Sequence, residues 1–300
     1  MRCLKLLLLI VCFIGTALVY GNPDNMSSTT EKQPASKERK PVTANTGYNA
    51  LGARRTANMM GYEDTEVNMV LRKYLIFMPQ APGNLLDLGC AFGFATGQML
   101  GIERKNPFLK QRDRKIIAVD MSRQHLDRVA ADTPAELVET VLMHFPKMDS
   151  TQSKKAFSPG TIGATYAGLV LHYLNPDELT RGLKLLFDAT APGGRVYASV
   201  NSAFISQTLL EDFQSRKKNP ADAYPGWYPD LFASSVPEKI RSSMPKSVCG
   251  IKIKYLHIFD EETLSRYFEQ AGFHVIESFY FIRSKSLPMK LLGIVAEKRA

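Results

Sequence analysis

The sequence predicts an α/β fold: a doubly wound, mostly parallel sheet with helices on both faces. Three observations predict it. Short apolar runs alternate with helix-period segments from residue 48 to the end, which implies parallel strands joined by helical crossovers. Glycines follow the first strong strand, at Gly89 and Gly93. An acidic residue, Asp120, ends the second.

The elements follow in order. Val67, Val70, Leu71, Tyr74, Leu75 and Met78 recur at spacings of three and four, which predicts a helix over 62–78. Pro79 and Pro82-Gly83 stop it. Leu85, Leu86 and Leu88 form the first strand, and a helix runs from the glycine turn to about Leu100. Ile116 to Val119 form the second strand, and Ser122 is placed to cap the helix through Ala130. Leu137 to Phe145 and Thr161 to Leu171 hold the third and fourth strands. Pro176 opens a helix through about Thr190, which Ala191-Pro192-Gly193-Gly194 ends, and Arg195 to Val200 is the fifth strand. Asp260 caps a helix to Gln270 that Gly272 terminates, before the final strands Phe273 to Ile282 and Leu291 to Glu297.

The first residues stand apart from this pattern. A basic start with Arg2 and Lys5, then a charge-free run from Leu6 to Tyr20, reads as a secretory signal peptide or membrane anchor over 1–21. The run is short for a full span, which needs about 20 residues. Residues 22–46, rich in Ser, Thr, Lys, Glu, Pro and Asn, read as a disordered linker. Residues 47–300 are expected to form the folded domain. Four cysteines do not make a disulfide framework, and neither they nor the five histidines have metal-ligand spacing. No metal site is expected.

Glycine at the first strand-to-helix turn lets backbone approach a ligand closely, and an acidic residue at the next strand end accepts hydrogen bonds from ribose hydroxyls. The turn here reads Asp87-Leu88-Gly89-Cys90-Ala91-Phe92-Gly93. Asp87 would repel a pyrophosphate, whereas it suits a sulfonium and an amino group. In Leu85 to Gly93, Ala118 to Ser122, Leu169 to Leu174, Pro192 to Tyr197 and Phe259 to Phe273, the sequence resembles the class I, Rossmann-like methyltransferases that use S-adenosylmethionine (SAM). The resemblance covers roughly residues 62–299. It implies a seven-stranded sheet, SAM as cofactor and methyl transfer as the activity. By position it implies that Asp87, Gly89, Ala91 and Gly93 cradle the methionyl part. It implies that Asp120 holds the ribose, that Met121 packs on the adenine, and that Asp149 meets the adenine amino group, with Thr165 to Gly168 under the sulfonium.

Two positions depart from the family pattern. Ala91 stands where the family has its middle glycine, which is tolerable if that position does not need positive φ. Asp87 and Asp120 are 33 positions apart, where roughly 20 is usual; the excess lies at Glu103–Lys115. His172, after the fourth strand, is the candidate catalytic base, with packing at a helix start as the alternative. Tyr48 and Tyr62 are candidates for an N-terminal lid.

The net charge of +9 does not by itself name a partner. Arg104, Lys105, Lys110, Arg112, Arg114 and Lys115 cluster at the amino ends of the strands, opposite the cofactor, so nucleic acid is not favoured. Residues 201–258 leave the carboxyl end of the fifth strand and carry Tyr224, Trp227, Tyr228 and Phe232 among prolines. They read as a substrate lid over a small-molecule acceptor. Arg216, Lys217 and Lys218 would suit a carboxylate-bearing molecule. RNA or protein methylation, and SAM-fold binding without catalysis, are the alternatives.

Overall fold

The computed structural model describes residues 54–105, 113–230, 238, 255–283 and 289–300. The signal or anchor segment 1–21, the linker 22–46 and Tyr48 lie outside the described residues. So do most of 231–254, Lys110 and Arg112. Among the described residues no helix is long and apolar enough to cross a membrane.

Seven strands form one sheet: β3 (Asn84–Leu88), β4 (Ile116–Asp120), β5 (Val138–Leu142), β6 (Ile162–Gly168), β7 (Thr190–Asn201), β10 (His274–Ile282) and β11 (Lys290–Glu297). Their order is β10-β11-β7-β6-β3-β4-β5. β11 runs antiparallel to both its neighbours, and the other pairings are parallel. The strand order reverses beside β3, where an open sheet leaves a crevice at its carboxyl edge.

Strand alternation assigns the two faces. Leu85, Ile116 and Ala118 point to helices α1 (Met69–Phe77), α2 (Phe94–Lys105) and α3 (Arg123–Asp132), packing with Tyr74, Met99 and Leu126. Leu86, Leu88, Ile117 and Val119 point the other way, to α4 (Thr151–Ala156), α5 (Pro176–Ala189) and α7 (Glu261–Gln270). Side chains such as Tyr74 and Phe268 are fully buried, each contributing about 1.5–3 kcal/mol of apolar transfer. The caps are local chemistry. Asn175 and Glu178 form a capping box at the start of α5, and Asp260 and Thr263 do so at α7.

Three boundaries and one cap differ from the sequence reading. The 62–78 helix starts late, because Asn68 Oδ1 accepts from Leu71 N at 2.9 Å and begins α1 there. Tyr62–Glu63 instead forms β2, paired with β1 (Arg54–Arg55). The helix stop at 191–194 is part of β7, which starts at Thr190 and absorbs those residues in a register shift against β6. The fourth strand ends at Gly168, and His172 sits in a single 3₁₀ turn, Leu171–Tyr173. Ser122 occupies the N-cap position of α3 but its side chain makes no capping bond.

Residues 201–230 and 255–258 add α6 (Gln207–Lys217) and a small antiparallel pair of β8 (Trp227–Tyr228) with β9 (Leu256–His257). They enclose a third apolar cluster around Leu209, Phe213 and Ile258.

Candidate functional site

A cavity of about 500 Å³ opens at the carboxyl ends of β3, β4, β6 and β7. Its floor is the turn after β3. Gly89 has φ +73°, and a Cβ there would lie 2.2 Å from Val170 Cγ2. Gly93 has φ +90° and faces Val129. Ala91 also takes a positive φ, +46°. That corrects the condition on which alanine was acceptable: the position does need the left-handed region, and alanine holds it under strain. The turn is pinned by Gly89 N and Cys90 N, which donate to Val119 O at 2.8 and 3.0 Å.

Asp120 holds the same turn from the next strand. Its Oδ2 accepts from Ala91 N at 3.0 Å, and its Oδ1 accepts from Ser122 N at 2.8 Å. His125 Nδ1 lies 2.9 Å from Oδ1, and Ala57 N donates to His125 Nε2 at 2.8 Å. Because Nε2 accepts, the ring proton sits on Nδ1 and is donated to Asp120. A carboxylate offers about four lone-pair sites, so three donors leave room for another.

Asp87 is 2% exposed and accepts from Thr96 Oγ1 at 2.6 Å. Burial pushes its carboxyl up to about 7, against the Thr96 hydrogen bonds, and the nearby Glu63 and Asp120 add to the rise. Glu63, raised chiefly by burial, accepts from Phe94 N at 3.1 Å at the start of α2. Three carboxylates therefore converge on one turn.

Residues 54–64 lie across the cavity and are tied down at several points. Besides the Ala57 and Glu63 bonds, Tyr173 OH donates to Met60 O at 2.9 Å. Arg283 Nε donates to Asp64 Oδ1 at 2.7 Å, and its Nη2 donates to Tyr62 O at 2.8 Å. The Arg54 guanidinium stacks on the Phe92 ring, 3.6 Å from its centroid.

The sequence-predicted residues divide cleanly. Asp87, Gly89, Ala91, Asp120, Met121, His172 and Tyr62 line the cavity. Gly93 supports the turn from behind, and Asp149 is an exposed residue outside the cavity lining. Thr165 is fully buried, and Tyr166 and Gly168 of that segment reach the lining. His172 is 3% exposed; burial, then the Arg283 charge, lowers its imidazole to about 3. Arg216 and Lys217, expected to meet a carboxylate-bearing molecule, are bound to Asp222 and to Asp260 and Glu262. Glu63, Asp64, His125 and Arg283 were not legible as site residues. His125 carried one signal: it lies five residues after Asp120, on the first turn of α3.

The lining is acidic. Among the described residues it has five carboxylates and one guanidinium, that of Arg283. No group of side chains there could hold a metal ion.

No family model matches the chain. The curated carboxy-S-adenosyl-L-methionine synthase of Erwinia tasmaniensis is 29% identical over 132 residues, 42% of this chain and 46% of that protein. The protein of the same name from Yersinia pestis (strain Pestoides F) is 28% identical over 139 residues, 44% of this chain and 45% of that protein. The chain thus spans about half the length of the curated relatives it matches. Among solved structures, a SAM-dependent methyltransferase from Methanosarcina mazei superposes with a TM-score of 0.52 at 15% identity, over 78% of this chain and 99% of that one. Sheet order, the glycine turn, the paired strand-end carboxylates and these likenesses lead to one conclusion: the chain has the class I, Rossmann-like fold of SAM-dependent methyltransferases.

Proposed function

We propose that the protein is a SAM-dependent methyltransferase acting on a small-molecule acceptor. The carrying observation is the acidic cavity at the β3 and β4 ends, with five carboxylates against one guanidinium. A sulfonium and an ammonium suit such a field, and a polyanion does not. SAM, when bound, supplies an activated methyl group. In this reading the turn from Gly89 to Gly93 lets backbone approach the donor, and Asp87 and Glu63 balance its positive charge. Asp120 offers its remaining lone-pair site to a ribose hydroxyl, and Met121 covers the adenine. Asp149 is exposed and outside the lining, so it is given no role.

Residues 54–64 and the described parts of 201–258 exclude water over the reacting atoms. Alignment and water exclusion are most of what methyl transfer from a sulfonium needs. Thr56, Met60, Trp227 and Tyr255 all line the cavity, and this supports a lid over an acceptor smaller than a macromolecule.

Calorimetric titration of the full-length chain with SAM tests the donor. Absence of saturable heat would sink the proposal. Incubation with methyl-labelled SAM and fractionated extract tests the acceptor; label confined to protein or RNA rejects a small molecule. A second reading rests on the name of the curated relatives, with SAM itself modified and Arg283 meeting a carboxyl donor. The mass of the nucleoside product separates them: S-adenosylhomocysteine (SAH) in one case, a carboxylated SAM in the other. For location, we propose export or membrane attachment through residues 1–21, tested by fractionation of cells expressing the chain with and without that segment.

A further inference from the structure

The cavity has two chemically different ends, and the one away from the glycine turn has its own signature. Tyr62, Tyr173, Trp227 and Tyr255 line it. Two of the hydroxyls there are already committed. Tyr173 OH donates to Met60 O, and Tyr255 OH donates to Tyr173 O at 2.9 Å. Trp227 and Tyr255 pack with centroids 5.3 Å apart. Tyr173 and Tyr255 therefore offer rings rather than polar atoms to a ligand, and the flat faces of the four side chains favour a planar partner.

Two polar groups share that end. Arg283 is fixed through Nε and Nη2, which leaves Nη1 without a partner among the described residues. Its counter-ion Asp64 is committed on both oxygens, to Arg283 and to Asn68 Nδ2 at 2.9 Å. Glu178, the other carboxylate nearby, is turned to the start of α5, where it closes the capping box. His172 lines the cavity, and its Nδ1 is buried with no hydrogen-bond partner among the described residues. Burial and the Arg283 charge keep the ring neutral. In a neutral imidazole a buried bare nitrogen costs less than a buried unpaired N–H. The proton therefore belongs on Nε2, which makes the ring a donor. Arg283 and His172 then both favour a negatively charged oxygen.

We infer that this end of the cavity takes an aromatic oxyanion: a planar ring among Tyr62, Tyr173, Trp227 and Tyr255, its deprotonated hydroxyl between Arg283 and His172. The inference rests on the SAM reading for its chemistry. The hydroxyl proton leaves to solvent on binding. The oxygen lone pair forms the new bond to the methyl carbon, and the carbon–sulfur bond breaks with its electron pair going to sulfur. Arg283 and His172 are specificity-determining residues in this scheme. They select the ionised acceptor and remove no proton.

The test uses the full-length chain with saturating SAH and three probes: 4-nitrophenol, 4-nitroanisole and 4-nitrobenzoate. The phenolate absorbance band reports ionisation directly. The expected result is 4-nitrophenol bound as phenolate, at least about tenfold tighter than 4-nitroanisole, the size expected when one polar contact goes unmade. R283Q brings the two probes near parity, R283K keeps most of the preference, and H172F loses part of it. Parity in the wild type overturns the inference, and so does a preference that survives in R283Q. Tighter binding of 4-nitrobenzoate than of 4-nitrophenol also overturns it, assigning the end to a carboxylate. If R283Q fails to fold, the wild-type ratio and H172F decide. SAH affinity is measured in the same samples, and the probes are repeated without SAH. Loss of the SAM reading therefore shows as absent SAH binding, while the oxyanion preference is read independently.

Discussion

The two ends of the cavity are built differently. At the proposed donor end, the turn, Asp87 and Asp120 come from a short stretch around two adjacent strands, and backbone hydrogen bonds hold them. At the proposed acceptor end, Tyr62, His172, Trp227, Tyr255 and Arg283 come from five separated places in the chain. Tertiary hydrogen bonds such as those of Arg283 and Tyr173 hold them together. Fixed backbone suits a ligand shared by many proteins, and assembled side chains suit one that differs among them.

The difference can be broken most strongly at Asp120. D120A removes the acceptor for Ala91 N, Ser122 N and His125 Nδ1. We expect a loss of about 2–3 kcal/mol in unfolding free energy, with SAM affinity down at least ~100-fold. Chemical denaturation and calorimetry measure the two. An unchanged affinity would remove Asp120 from the donor end.

The converse substitution is W227A, in the acceptor end. The expected outcome is an acceptor KM raised on the order of tenfold, from about 1.5 kcal/mol of lost ring contact. SAM affinity should stay within about twofold. Equal loss of both would show that the ends are not separable.

A third measurement uses pH. The Asp87 carboxyl is raised from 3.8 to about 7, so the folded state keeps a proton that the unfolded state has released. Its contribution to stability is therefore lost as pH rises from about 4 to about 7. A bound cation favours the ionised form. SAM should bind more tightly as pH rises from 6 to 8, by roughly threefold to tenfold. The D87N variant should bind weakly with no such slope, and a slope that persists would assign the titration elsewhere.

The smallest expected effect is at Ala91. A91G relieves the positive φ of +46° and regains about 0.5–1 kcal/mol, partly offset by the greater freedom of glycine in the unfolded chain. Thermal unfolding with and without SAH reads it. A destabilised A91G would mean that the methyl group packs usefully.

Much of this was legible because it is local. The strand-turn-helix at 84–105 rests on apolar runs and on glycines whose φ no other residue takes cheaply. Asp120 was readable because a strand end is a sequence feature. Helix capping at Asp260 was readable for the same reason. Boundaries failed where long-range pairing decided them. Pro192 and the two glycines after it read as a stop, yet pairing with β6 extends β7 through them. The pattern at 62–78 read as one helix, yet Asn68 begins α1 and residues 62–63 pair with 54–55.

By itself, then, the amino-acid order determined the layered fold, the glycine turn and its two strand-end carboxylates, since each depends on periodicity or on a single residue's backbone preference. Only the tertiary structure decided that Glu63 joins them, that His125 backs Asp120, and that Arg216 and Lys217 are consumed in ion pairs. It alone brought Arg283 beside His172, 111 positions away in the sequence (283 minus 172). Contacts at that separation depend on how the strands are ordered in the sheet: His172 follows β6 and Arg283 follows β10, with β7 and β10 in the chain between them. No local propensity records such a pairing.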